Sequence, residues 1–309
     1  MMNHSTYMPS RPLNTAVLLI IFNRIEVVKQ VFEQIRQAKP PRLYIAADGP
    51  RKGVQDENKI VKEVRDYIID HINWDCEVKT LFREKNLGCK YAVSGAIDWF
   101  FENEEMGIIL EEDCLPSQSF FWFCENLLEK YQDDMRIWHI GGYKFPYMKG
   151  DSYSYTFTRY THIWGWASWA SRWKYNDVEI SKYKKNRNIV TNYEYFRGKY
   201  ENSSRINILD RVLSGETITW DYQWNFAVRI NSGLSIRPTE NLVMNIGFGE
   251  GAVHTIDRNE EIENNSAVDI NFPLRHPELT MIYKNDDELY EKYNFDTRYV
   301  SKIKRKLVK

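Results

Sequence analysis

Three consecutive acids, Glu111, Glu112 and Asp113, close the apolar run Gly107-Ile108-Ile109-Leu110. Such neighbours repel one another, and burying them without a counter-charge is costly. A divalent cation resolves the conflict. Mn²⁺ or Mg²⁺ takes hard oxygen ligands and keeps some of its waters while bridging phosphates, which suits a site that neutralises a departing diphosphate. The plainer reading of the same acids is a strand-end loop that caps the next helix. Arg24, after another apolar run, offers a guanidinium suited to phosphate or to an ordinary salt bridge. Asp48 precedes Gly49-Pro50 and is as much a turn residue as a ligand.

These residues need a scaffold that brings them together. AVLLIIF (16–22) is a continuous apolar run, as a central buried parallel strand requires. The stretch after it places Val28, Val31, Phe32 and Ile35 on one helical face. RLYIAAD (42–48), CEVKTLF (76–82), GIILEED (107–113) and IWHIGGY (137–143) read as further strands. Helical patterns separate them at 56–71, at about 89–103 after Asn86-Leu87-Gly88, and from Pro116-Ser117 to about Tyr131. This alternation predicts an α/β fold with a mostly parallel sheet and helices on both faces. Ligands of such sheets lie beyond the carboxyl ends of the strands, so Arg24, Asp48 and the acids at 111–113 are expected to line one cleft. The turn at 86–88 would also aim a helix N-terminus at a diphosphate. Residues 1–142 form the expected nucleotide-binding lobe, 143–256 an acceptor lobe, and 257–309 a polar extension with a basic tail.

AVLLIIFNR, YIAADGP, IILEEDCLPSQSFFWF, Gly165-Trp166 and TWDYQW follow one another in the order of motifs in N-acetylglucosaminyltransferase I, and the chain resembles that family over roughly residues 15 to 256. The resemblance implies a GT-A fold, a nucleotide-sugar donor with UDP favoured, Mn²⁺ or Mg²⁺, and inversion at the anomeric carbon. Carried across position by position, Asp113 is the metal ligand, and Glu111 and Glu112 meet the donor's ribose and sugar. Asp48 accepts a hydrogen bond from the base, and Arg24 lies near the nucleotide. Asp221 matches the catalytic aspartate, a general base for the acceptor hydroxyl. It is also placed to begin the helix after it. His254, behind Gly247, Gly249 and Gly251, is a second candidate at the metal or diphosphate, on a loop able to close over the donor. Among Trp164, Trp166 and Trp169, whose spacing fits a helix with one buried face, core packing is expected for most and sugar contact for Trp166. The chain departs from the family at Glu112, which is one methylene longer, and at Ala47-Asp48-Gly49, so the donor sugar is left open.

Composition narrows the partners. Lys and Arg number 42 against 43 Asp and Glu, a balance that gives no basic surplus for nucleic acid. The 15% aromatic content suits stacking on sugar faces, and equally a Trp-rich core. Four cysteines without metal or disulfide spacing, and no apolar run long enough to span a bilayer, suggest a cytoplasmic protein. The tail RYVSKIKRKLVK is basic with interleaved apolar residues, a pattern for peripheral contact with an anionic membrane or for a solvated end. The expected acceptor is a glycan or a lipid-linked glycan. A sugar-1-phosphate nucleotidyltransferase would share sheet, nucleotide and metal, but would want glycines where Phe22-Asn23-Arg24 stand. A non-catalytic carbohydrate-binding protein would not need the acid cluster.

Overall fold

A computed structural model describes residues 7–148, 152–192, 199–248 and 265–295. The first half alternates as its hydrophobic pattern predicts: β1 (Ala16–Ile21), α1 (Ile25–Ala38), β2 (Arg42–Ala47), α2 (Glu57–His71), β3 (Glu77–Phe82), α3 (Gly88–Asn103) and β4 (Met106–Glu111). A short β5 (Cys114–Pro116), α4 (Gln118–Tyr131) and β6 (Ile137–Gly141) come next. Beyond them lie β7 (Tyr155–Thr158), β8 (Trp166–Trp169), α5 (Ala170–Trp173), α6 (Ser181–Asn192), α7 (Lys199–Leu213) and α8 (Asp221–Ile230). The described chain closes with β9 (Leu234–Pro238), β10 (Val243–Asn245) and α9 (Lys284–Phe295).

One eight-stranded sheet runs β3-β2-β1-β4-β8-β6-β9-β7. β3, β2, β1 and β4 are parallel; β8 is antiparallel to both of its neighbours, and β7 is antiparallel to β9. Six strands therefore point the same way, and the sheet crosses the boundary expected near residue 142 without a break. In the aromatic stretch, where the tryptophan spacing also fits a helix, Trp166–Trp169 enters this sheet as β8. Its apolar density hides the period, and pairing with β4 and β6 decides for strand.

Strand alternation divides the core. Val17, Leu19, Leu43, Ile45, Ile108 and Leu110 face α1, α2 and α4. Leu18, Ile20, Tyr44 and Ile109 face α3, α5 and α8. The second face holds five buried tryptophans, Trp138, Trp166, Trp173, Trp220 and Trp224. The segment read as a polar extension joins the body where it is described. Ile270 and Leu274 enter the core, and Asp286 and Asp287 of α9 pair with Arg237 and Arg159. The basic tail lies outside the described residues. No helix among the described residues is long and apolar enough to cross a membrane.

The tryptophan layer also contains His139 of β6, which is 0% exposed and stacks on Trp166 at 5.0 Å. Trp224 Nε1–H donates to its Nδ1 at 3.3 Å, so Nε2 carries the proton and donates to the His162 carbonyl at 3.0 Å. Burial pushes the imidazole down to about 4, against a lesser upward pull from that carbonyl. Between pH 6.5 and 4 the unfolded chain binds a proton that the folded chain refuses. The stability from neutral His139 is complete above pH 6.5 and is lost as the pH falls toward 4, with about 2 kcal/mol gone between pH 7 and 5. Urea unfolding of the wild type and of His139→Gln at those two pH values should show a smaller acid loss in the variant.

Candidate active site

The carboxyl ends of β1, β2 and β4 lie side by side, with Ile20 opposite Glu111 and Ile21 opposite Ala47. The residues immediately after each strand are therefore delivered to one place: Phe22-Asn23-Arg24, Asp48, and Glu112-Asp113. The charge of Asp221, the first residue of α8, acts on Glu111, as does that of Asp113. Burial, followed by Asp113, Asp221 and Glu112, pushes the Glu111 carboxyl up to about 8, and Arg24 only partly opposes this. Glu111, Asp113 and Asp221 thus share one electrostatic neighbourhood.

The three adjacent acids have different surroundings. Glu112 is 6% exposed and turned inward: it accepts the Phe22 amide on one oxygen and Arg24 Nε on the other, each at 2.6 Å. Both of its oxygens serve the protein. Arg24 also donates from Nη2 to Asp113 Oδ2 at 2.8 Å, and its Nη1 is 3.4 Å from the Gly247 carbonyl. One guanidinium thereby ties the end of β1 to the end of β4 and to the segment after β10.

Gly247 fits there for lack of a side chain. β10 pairs with β5, and the Ile246 amide donates to the Asp113 carbonyl at 2.8 Å, drawing the chain across the acid. A Cβ at position 247 would lie 2.2 Å from Asp113 Oδ2 and 2.8 Å from Arg24 Nη1. His254, Gly249 and Gly251 lie outside the described residues.

Asp48, 9% exposed, has a carboxylate occupied by backbone. It accepts the Gly49 amide at 2.9 Å and the Leu87 and Gly88 amides at 3.0 Å. The first amides of the turn into α3, expected to meet a diphosphate, are instead capped from within. Gly49 is required at the crossing, because a Cβ there would lie 2.4 Å from the Lys85 backbone.

Trp166 departs from the role expected of it. Its ring is 0% exposed, stacked between His139 and Trp220, and cannot reach a sugar. The neighbouring Trp164 is only partly buried and packs on Phe248. Cys89, not singled out in the sequence, sits in the first turn of α3 among the acids. Burial pushes its thiol up to about 12, with Glu111, Asp221, Asp48 and Asp113 acting in the same direction. Nothing in its spacing marks it; only the fold puts it there.

Carboxylates are the ligand type a hard cation takes. Glu111, Asp113 and Asp221 are carboxylates in mutual repulsion, and the raised Glu111 carboxyl records that repulsion together with its burial. No group of three metal-binding side chains converges among the described residues. A cation that takes one or two carboxylates and keeps waters needs no such cage.

No family model and no curated protein matches the sequence. Solved structures match at low similarity. The 1–349 segment of S. aureus TarS aligns with 11% identity and a TM-score of 0.35, over 53% of this chain and 49% of that one. The glycosyltransferase GlyE of Streptococcus pneumoniae TIGR4 aligns with 12% identity and a TM-score of 0.32, over 69% and 47%. A UDP-glucose pyrophosphorylase complexed with UDP-glucose aligns with 11% identity and a TM-score of 0.31, over 53% and 79%. At this level the likenesses carry no argument about activity.

Proposed function

We propose that this chain is a metal-dependent, inverting glycosyltransferase of the GT-A type. It moves a sugar from a nucleoside diphosphate sugar, UDP-linked by preference, to a hydroxyl of a glycan or lipid-linked acceptor. The observation that supports the reading is that Arg24, Glu111 and Asp113 follow the carboxyl ends of adjacent parallel strands, with the charge of Asp221 acting on Glu111. Asp113 would hold Mn²⁺ or Mg²⁺, which when bound supplies positive charge to the leaving diphosphate. His254 is retained as a second candidate ligand.

The chain's own residues then divide the work. Glu111, unlike Glu112, is left to meet the ribose or sugar of the donor. Arg24 keeps one hydrogen on each terminal nitrogen beyond its protein bonds, enough to reach an adjacent phosphate oxygen. Asp48, whose two oxygens already take four contacts from the Gly49, Leu87 and Gly88 amides, would accept the N–H of a base only by sharing an oxygen with one of them. Asp221 takes the acceptor proton as that oxygen attacks. The resemblance to N-acetylglucosaminyltransferase I motivates these roles.

A thermal-shift panel of nucleotide sugars, with and without Mn²⁺, tests the whole. A ligand held only by the folded chain raises its melting temperature, by about 2.7 kcal/mol of stability at a hundredfold excess over Kd. The expected result is a shift for one class of nucleotide sugar that requires the metal. A shift only with nucleoside triphosphate would favour nucleotidyl transfer. Metal-independent binding of free sugar would favour a carbohydrate-binding protein.

A further inference from the structure

The structure assigns Thr219 a positioning role toward Asp221, an inference that rests on Asp221 being the base. Thr219 lies two residues before α8, and its hydroxyl donates to Asp221 Oδ1. An ionised carboxylate is an acceptor only. Once one oxygen is fixed by an internal donor, the plane of the group is set and the second oxygen presents a defined direction. A base contributes only when that direction meets the proton to be removed.

The donor is itself anchored. Gln223, 1% exposed, donates from Nε2 to the Thr219 carbonyl at 2.5 Å, and the same nitrogen lies 3.4 Å from the Val178 carbonyl. One buried side chain thus fixes the backbone of Thr219 relative to α8 and to the segment before α6. Branching at Cβ further restricts the rotamer that carries the hydroxyl. The charge of Asp221 in turn bears on Glu111 of β4, Cys89 of α3 and Tyr222. Thr219 holds the carboxylate through Oδ1 from the residue two positions before it.

The chemistry separates this role from simple support of the helix entry. Thr219→Val keeps the shape and removes the donor, whereas Thr219→Ser keeps the donor and removes a methyl. Both are compared with wild type and Asp221→Asn in the full chain, using the nucleotide sugar selected by the thermal-shift panel. Water or a methyl glycoside serves as acceptor, and release of the nucleoside diphosphate is the readout. For Thr219→Val, kcat should fall about tenfold or more with donor KM and metal-dependent thermal shift held within about twofold, and Thr219→Ser should restore most of the rate.

If Asp221→Asn silences turnover while Thr219→Val stays within about twofold of wild type, the positioning role is overturned and the base assignment survives. If Asp221→Asn retains turnover, the base assignment itself fails. If the valine and serine variants lose rate equally, the threonine is a packing residue and the inference is wrong. Should the valine variant fail to fold, Thr219→Ala set against Thr219→Ser puts the same question to the hydroxyl.

Discussion

Asp221→Asn is expected to lower kcat by about two to four orders of magnitude, the range ordinarily supplied by a positioned base, while the protein stays folded and still binds its donor. The separation comes from where the residue sits. Asparagine has the same shape, and its carbonyl oxygen can still accept the Thr219 hydroxyl. The first turn of α8 loses an acid that favours its N-terminus, a cost of about 0.3–1 kcal/mol. Against that, Glu111 is relieved of one like-charged neighbour. These opposing effects leave the melting temperature nearly unchanged. The variant should show the wild-type metal-dependent thermal shift with the nucleotide sugar and almost no turnover. A variant that keeps its rate would remove the base from the proposed mechanism.

The parts of this site that can be read from the sequence are those fixed by local pattern. The run 16–22 and the amphipathic face of Val28, Val31, Phe32 and Ile35 define a strand and helix unambiguously, because each burial period is uninterrupted. Parallel strands also share one end, so placing Arg24, Asp48 and the acids 111–113 in one region requires no contact information. Which of those side chains turns inward does depend on contacts. Glu112 is drawn in by the Phe22 amide and Arg24, partners about 90 residues away in the chain. Asp48 is capped by amides about 40 residues distant. The β8 tryptophans mislead for a related reason: Trp166 looks like a sugar platform until His139, Trp220 and Trp224 close around it. Dense aromatics carry no sign of whether their faces are already taken.

That long-range capping makes Asp48→Ala the substitution with the largest expected effect on stability. The carboxylate accepts from Gly49, Leu87 and Gly88, and all three amides lose their partner together. Hydrogen bonds to a charged group each contribute about 1.5–3 kcal/mol, and some of the freed amides will find water, so a net loss of about 3–5 kcal/mol is expected. The arginines nearby add to it, because Asp48 offsets part of the burial cost of Arg83 and Arg65. Urea unfolding measures this in the absence of any nucleotide, where a residue that only reads a base would show nothing. Were Asp48 solely a base contact, Asp48→Ala would unfold with the wild-type midpoint and merely bind its donor less well. With the capping described, the midpoint falls first. The lost donor affinity then results from the slackened 83–88 segment, because Asn86 holds the Gly49 carbonyl at 2.8 Å.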